Sequence, residues 1–313
     1  MHTVDPVQRI LMLLAAILMV SATLVASLPA IELDKNSGGN KNRLFVYNRS
    51  VAVDLKEDPA KEQDGVTIRD VNYAAYAPKH GRIKAYLIQP PGKGPFAGVL
   101  FFHWLGDVKS DRTEFLDEAV ALGKQGTASL LIQGYFPWSE QPTDGPTDHQ
   151  QIIDQTIEVR RALDLLLSQK GVDKRRIGYV GHDYGAMFGA IASGIDKRVK
   201  TYVLITGVGT FSDWSLNYWK GPSQKGADVY RQAVKDVDPI GYVSQAAPAS
   251  LLFQFATHDK YISKQVADEF FAAASKPKEV KWYDATHDLN VEAARKDRRD
   301  WLTRQLRLNN RKN

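Results

Sequence analysis

The chain contains no cysteine in 313 residues. That absence excludes disulfides, a thiolate nucleophile, cysteine-ligated zinc and lipid attachment at a cysteine, while leaving the redox compartment open. Unbalanced charge is also scarce once it is located. Of the net +5, residues 294–313 contribute +6, through eight Arg or Lys against Asp297 and Asp300, so the remaining 293 residues sum to −1. The basicity reads as a solvated terminal helix whose cations suit the negative end of the helix dipole. No RNA or DNA motif accompanies it, and nucleic acid is not an expected partner. Long apolar runs are nearly missing too. The exception is Ile10 to Ala26, polar only at Ser21 and Thr23 and preceded by Arg9. It is short for a membrane span and offers small-residue cleavage patterns at Val20-Ser21-Ala22 and Val25-Ala26-Ser27. Residues 1–30 are therefore expected to be an export signal or a retained anchor, and residues 31–60 a loose leader. The folded domain is expected over residues 61–313, in an exported protein that meets a membrane only if the anchor is kept.

What remains is ordinary globular material, 43% hydrophobic and 25% charged. From residue 66 onward, short β-rich runs alternate with helical patterns, which points to an α/β sheet with helices on its faces. VTIRDVNY and RIKAYLIQP read as an opening antiparallel pair around Pro78 and Gly81. Ala97 to His103 is almost wholly apolar, as suits a strand buried on both faces. A helix is expected over 112–123, a strand over 128–133, and a long helix over 148–169 closed by Lys170-Gly171. Further strands are expected at 199–206, 250–256 and 280–283, and a last helix over 291–308.

The stretch RIGYVGHDYGAMFGAI, Arg176 to Ile191, has the outline of a nucleophile elbow, in which a strand delivers one residue onto a sharp turn above a helix N-terminus. Gly181 and Gly185 flank Asp183 at the required spacing. The same turn leaves backbone N–H groups unpaired, so a residue there lies beside half of an oxyanion hole. Read alone, the turn is equally open to Asp183 as a helix cap. Two more features follow in order. Thr257-His258-Asp259 comes after one buried strand and Ala285-Thr286-His287 after the next, with 28 residues from Asp259 to His287. Nucleophile, acid and histidine, each at a strand end, form the order of a hydrolase triad. Asp213 competes with Asp259 for the place of the acid.

From about residue 66 to its end the chain resembles the α/β-hydrolase superfamily, which implies a mostly parallel central sheet with helices on both faces. FFHWLGD resembles the histidine-containing oxyanion segment of that superfamily. By that likeness Leu105 or Trp104 supplies an N–H beside that of Tyr184. HWLGDVKSDRTEFLDEAVALGKQG with SLLIQ looks closest to dienelactone-hydrolase-like members, whereas the GHDYG elbow resembles epoxide hydrolases and haloalkane dehalogenases, in which an aspartate is the nucleophile. The His-Gly-x-Pro of epoxide hydrolases is absent. The step of 76 positions from Asp183 to Asp259 leaves room only for a small lid, placed at 211–225 around Phe211, Trp214, Tyr218 and Trp219.

An aspartate, anionic at neutral pH, suits attack on an sp3 carbon bearing a leaving group or strained ring. The expected enzyme is thus an Asp183–His287–Asp259 hydrolase acting through a covalent alkyl ester on a small epoxide or alkyl halide. Its candidate substrate contacts are His103, Trp138, Trp214, Tyr218 and Trp219, and it needs no cofactor or metal. The alternatives are an ester or lactone hydrolase of the dienelactone-hydrolase type and a non-catalytic binding protein on a hydrolase scaffold. A metal site built from the His-Asp pairs at 182–183, 258–259 and 287–288 lacks suitable spacing.

Overall fold

The computed structural model describes residues 41–105, 111–135, 144–218 and 224–308. The expected export or anchor segment therefore lies outside the described residues. Among them, no helix is long and apolar enough to cross a membrane.

Ten strands make one sheet. They are β1 (Lys56–Glu57), β2 (Lys61–Gln63), β3 (Val66–Ala74), β4 (Arg82–Gln89), β5 (Phe96–Phe102), β6 (Thr127–Ile132), β7 (Val172–His182), β8 (Thr201–Ile205), β9 (Ser250–Ala256) and β10 (Lys278–Tyr283). The spatial order is β1-β3-β4-β6-β5-β7-β8-β9-β10, with β2 also paired to β3. β5 through β10 run parallel to one another, and β4 joins them antiparallel through β6. Every residue of β5, β6, β8 and β9 is buried, as in a sheet covered on both faces.

The covering helices are α1 (Leu116–Gly123), α2 (Gly145–Ser168), α3 (Tyr184–Ile195), α4 (Phe211–Tyr218), α5 (Gln224–Val234), α6 (Ile240–Val243), α7 (Lys264–Ala273) and α8 (Glu292–Leu306). α1 and α8 close one face through Val120, Leu122, Trp301 and Leu302. α2, α3, α6 and α7 close the other through Leu163, Phe188, Tyr242 and Phe270.

Several boundaries differ from the sequence expectation for identifiable reasons. The helix expected from Arg112 begins at Leu116, because Asp111 takes the Thr113 N–H and hydroxyl in a local turn while Arg112 turns aside to pair with Asp70 at 2.6 Å. The long helix starts three residues early, where Asp144 caps the Thr147 N–H at 2.8 Å and Pro146 occupies the first turn. The leader is not loose over its described part. Phe45 and Tyr47 are buried against α2, the Phe45 carbonyl accepts from Arg160, the Tyr47 hydroxyl donates to Asp164, and β1 pairs with β3.

The sheet has two polar margins. One is made of the two- and three-residue strands β1 and β2. The other is β10, where Lys278 donates to the carbonyls of Phe271, Ala272 and Ala274, and Lys281 pairs with Asp297. No described strand pairs beyond it.

Candidate active site

The carboxyl ends of the parallel strands bring the chemistry together. At the end of β7 the chain turns into α3 through Asp183, whose φ of 52° and ψ of −113° place a non-glycine residue in a sparsely populated region. The turn is held by the Asp183 N–H donating to Ile205 O at 2.8 Å. It tolerates no side chain on either flank. A Cβ on Gly181 would lie 2.2 Å from Gly185 O, and one on Gly185 would lie 2.2 Å from Phe102 O.

Asp183 is 1% exposed. Its Oδ2 accepts the Leu105 N–H at 3.3 Å, the Tyr184 N–H at the start of α3 is near enough to favour the charged carboxylate, and Oδ1 has no partner among the described residues. Burial pushes this carboxyl up to about 7, against the downward pull of His287 and of the two N–H donors. The sequence-based view of a fully anionic aspartate at neutral pH is corrected accordingly, since removing the carboxylate from water penalises its charge.

His287 follows β10. Its Nδ1–H donates to Asp259 Oδ2 at 2.8 Å, and its Nε2, like Asp183 Oδ1, is buried without a partner among the described residues. Asp259 is fixed in turn, Oδ1 accepting the N–H groups of Tyr261 at 2.8 Å and Ile262 at 3.0 Å. Asp213, the competing acid, is exposed at the start of α4, where it accepts from the Thr210 hydroxyl at 2.7 Å. The geometry pairs His287 with Asp259.

Aromatic rings close the site. The Trp214 ring lies 5.6 Å from that of His287 and 5.9 Å from Tyr184, while Tyr261 meets His287 edge-on at 5.1 Å. Trp214 is thus on the site, carried by α4 of the expected lid. After α4 comes α5, which is tied down by the Tyr230 hydroxyl on Asp148 and Ser215. Tyr218 ends α4. Trp138 and Trp219 lie outside the described residues.

Two assignments change. His103 is not a substrate contact. It is 1% exposed, its Nδ1–H donates to Trp104 O at 2.7 Å, and its Nε2 accepts the Gly134 N–H at 3.0 Å. Because Trp104 O and Leu105 N belong to one peptide unit, His103 fixes the orientation of the N–H that reaches Asp183. Nor does Trp104 supply a second donor, since its N–H is taken by Glu114 Oε2 at 2.9 Å.

The His-Asp pairs diverge. His258 turns to Asp284 at the surface and Asp288 to the Thr286 hydroxyl, and no grouping of three metal-ligating side chains occurs among the described residues. A cleft of about 520 Å3 lies behind the elbow, walled by Glu114, His182, Asp288 and Arg299 among others. Asp183 is not part of its wall. Nor does His287 line it.

No protein-family model matches the chain. Over 141 residues it is 30% identical to the Acyl-coenzyme A amino acid N-acyltransferase 2 of Mus musculus, covering 45% of this chain and 30% of that protein. Over 129 residues it is 27% identical to the Acyl-coenzyme A thioesterase 3 of Mus musculus, covering 41% and 27% respectively. The chain therefore spans less than a third of the length of these curated relatives. Among solved structures it is similar to the acetyl xylan esterase from Paenibacillus sp. R4, with a TM-score of 0.66 at 17% identity over 85% of this chain and 92% of that one. At such identity the likeness concerns the fold, and the fold is that of the α/β-hydrolases.

Proposed function

We propose that this chain is a hydrolase in which Asp183 attacks an sp3 carbon of a small organic substrate, such as an epoxide or an alkyl halide. The observation that carries the reading is the state of the oxyanion hole. The Leu105 N–H is already bonded to Oδ2 of Asp183, and the Tyr184 N–H is near enough to pull its carboxyl downward, so the enzyme's own oxygen fills the place that an ester's carbonyl oxygen takes in a serine enzyme. The other oxygen, Oδ1, is unpartnered and free to act as a nucleophile.

Each group then has a task. Oδ1 bonds to the substrate carbon as the carbon–leaving-group bond breaks, and the leaving group departs with the electron pair. In the second step His287 Nε2 takes a proton from water, and the hydroxide adds to the Asp183 ester carbon. The negative charge developed on Oδ2 is held by Leu105 and Tyr184. Collapse expels the alcohol, which receives its proton from His287, while Asp259 keeps the imidazole in the Nδ1–H tautomer throughout. The alcohol leaves with the original Oδ1, and the solvent oxygen stays in Asp183.

A second reading is favoured by the burial of Asp183, which pushes its carboxyl up to about 7. A carboxyl poised there also suits a general base that activates water toward a carboxylic ester, lactone or thioester, in line with the dienelactone-hydrolase-like segment and the names of the relatives. A single turnover in 18O-water with enzyme in excess separates the two. The first reading expects label in the peptide containing Asp183 and an unlabelled first product, and expects His287→Gln to accumulate enzyme bearing the substrate's mass at Asp183. Solvent label in the first product and none in that peptide would establish the second. A binding role without turnover is disfavoured by the Nδ1–H bond that aims His287, with Nε2 left open, into the same buried site as Oδ1.

A further inference from the structure

His182, beside the elbow aspartate, and Glu114, in the turn before α1, are joined in a way the two-step reaction does not use. His182 Nε2 is 3.1 Å from the carbonyl oxygen of His287, an acceptor only, so Nε2 carries hydrogen. His182 Nδ1 is 2.6 Å from Glu114 Oε1, so a second proton lies between ring and carboxylate. The other carboxylate oxygen of Glu114 accepts the Trp104 N–H at 2.9 Å. The Trp104 ring lies over that of His182 at 5.1 Å with an interplanar angle of 11°.

Glu114 thus bridges the two segments whose relative placement decides the chemistry. On one side it grips the backbone that presents the Leu105 N–H to Asp183. On the other, through the buried ring of His182, it grips the backbone of His287, whose carbonyl also accepts from the Thr206 hydroxyl at 3.3 Å. Neither Glu114 nor His182 reaches the reacting atoms. We infer that Glu114 is a positioning residue, acting through His182 to hold the oxyanion segment and the catalytic histidine loop in register with Asp183. This rests on the reading of Asp183 and His287 as the reacting pair. Displacement of either segment weakens stabilisation of the charge that develops during turnover more than it weakens ground-state binding, so the loss falls on kcat.

Two variants and one spectrum test it. Glu114→Ala removes the bridge, and kcat is expected to fall about 10-fold or more with KM changed by less than about 2-fold. Glu114→Gln rebuilds the bridge without charge. Its amide donates to Nδ1 of a neutral His182 and its oxygen accepts the Trp104 N–H, so most of the lost kcat is expected to return. Proton NMR of the protein without substrate should show a far-downfield imidazole N–H that is absent from His182→Asn and from Glu114→Ala. If Glu114→Ala does not fold, Glu114→Gln and the spectrum still decide, because the wild-type imidazole resonance must be lost from the Gln variant, in which the proton between the two side chains belongs to the amide. Wild-type kcat in Glu114→Ala, equal loss in a folded Glu114→Gln, or persistence in either variant of the downfield resonance that His182→Asn removes would overturn the assignment; the separate N–H of His287 on Asp259 stays in all of them. A failure of the nucleophile reading looks different. The 18O pattern would reverse while the effects of Glu114 on kcat and on the resonance persisted.

Discussion

At the scale of single residues, the pairing of His287 decides the ranking of carboxylates. Asp259 Oδ2 holds the imidazole Nδ1–H at 2.8 Å, whereas Asp213 is spent on Thr210. Asp259→Asn is expected to lower kcat by about 100-fold or more, because the amide stabilises the wrong tautomer. Asp213→Asn should stay within about 3-fold, the usual range for an exposed polar change. Steady-state kinetics on one substrate rank the two, and the reverse order would move the acid to the start of α4. Asp183 carries a pH prediction. Burial raises its folded value to about 7, above its unfolded value near 4, so folding favours the protonated form. The associated stability is complete below about pH 4 and is lost as pH rises through about 7, a penalty on the order of 4 kcal/mol at pH 8. Thermal denaturation should accordingly show the wild type losing ground to Asp183→Asn between pH 5 and pH 8. On the proposed mechanism activity has the opposite slope, since a nucleophilic Asp183 must be the carboxylate: kcat/KM should rise with pH through about 7. A flat profile over that range would argue against an ionising Asp183 in the rate-limiting step.

Among the elements, the turn from β7 to α3 has the least tolerance. A methyl on Gly185 would lie 2.2 Å from a backbone oxygen of the neighbouring strand, which cannot move aside as a flexible side chain can. Gly185→Ala is expected to cost several kcal/mol, at about the level of other strained or overpacked substitutions, and to lower the denaturation midpoint sharply. The buried strands, the long helix, the elbow and the order Asp183, Asp259, His287 were legible in the sequence, because apolar runs, paired glycines and strand-end polar residues are local signals. What was hidden depended on contacts distant along the chain. The start of α1 is set by Arg112 reaching Asp70, and the true work of His103 depends on Gly134. Tyr261 beside His287 left no signal that sets it apart from any surface tyrosine. The same holds for Glu114, which in DRTEFLDEA reads as one more charge on a helix face.

Across the whole molecule, the six parallel strands place every group of the candidate site along one margin of the sheet, and the two helical layers bury the rest. The docking of Phe45 and Tyr47 extends the folded body to the first described residues, further than composition suggested, since a leader rich in Asn and Gly conceals two aromatic anchors. The outer margin at β10 has a further consequence, for colloidal behaviour. A last parallel strand exposes a ladder of unpaired peptide groups, a template on which a second molecule can add. Here the template is guarded by lysines: Lys278 is folded back on the carbonyls of Phe271, Ala272 and Ala274 at the end of α7, and Lys281 pairs with Asp297. An incoming strand would have to desolvate these cations, so concentrated solutions should not grow by edge-to-edge addition. Replacing both lysines with valine leaves the strand's apolar character intact and removes the guard. Light scattering on a concentration series should then show that variant associating while the parent protein does not, and equal scattering from the two would assign the protection elsewhere.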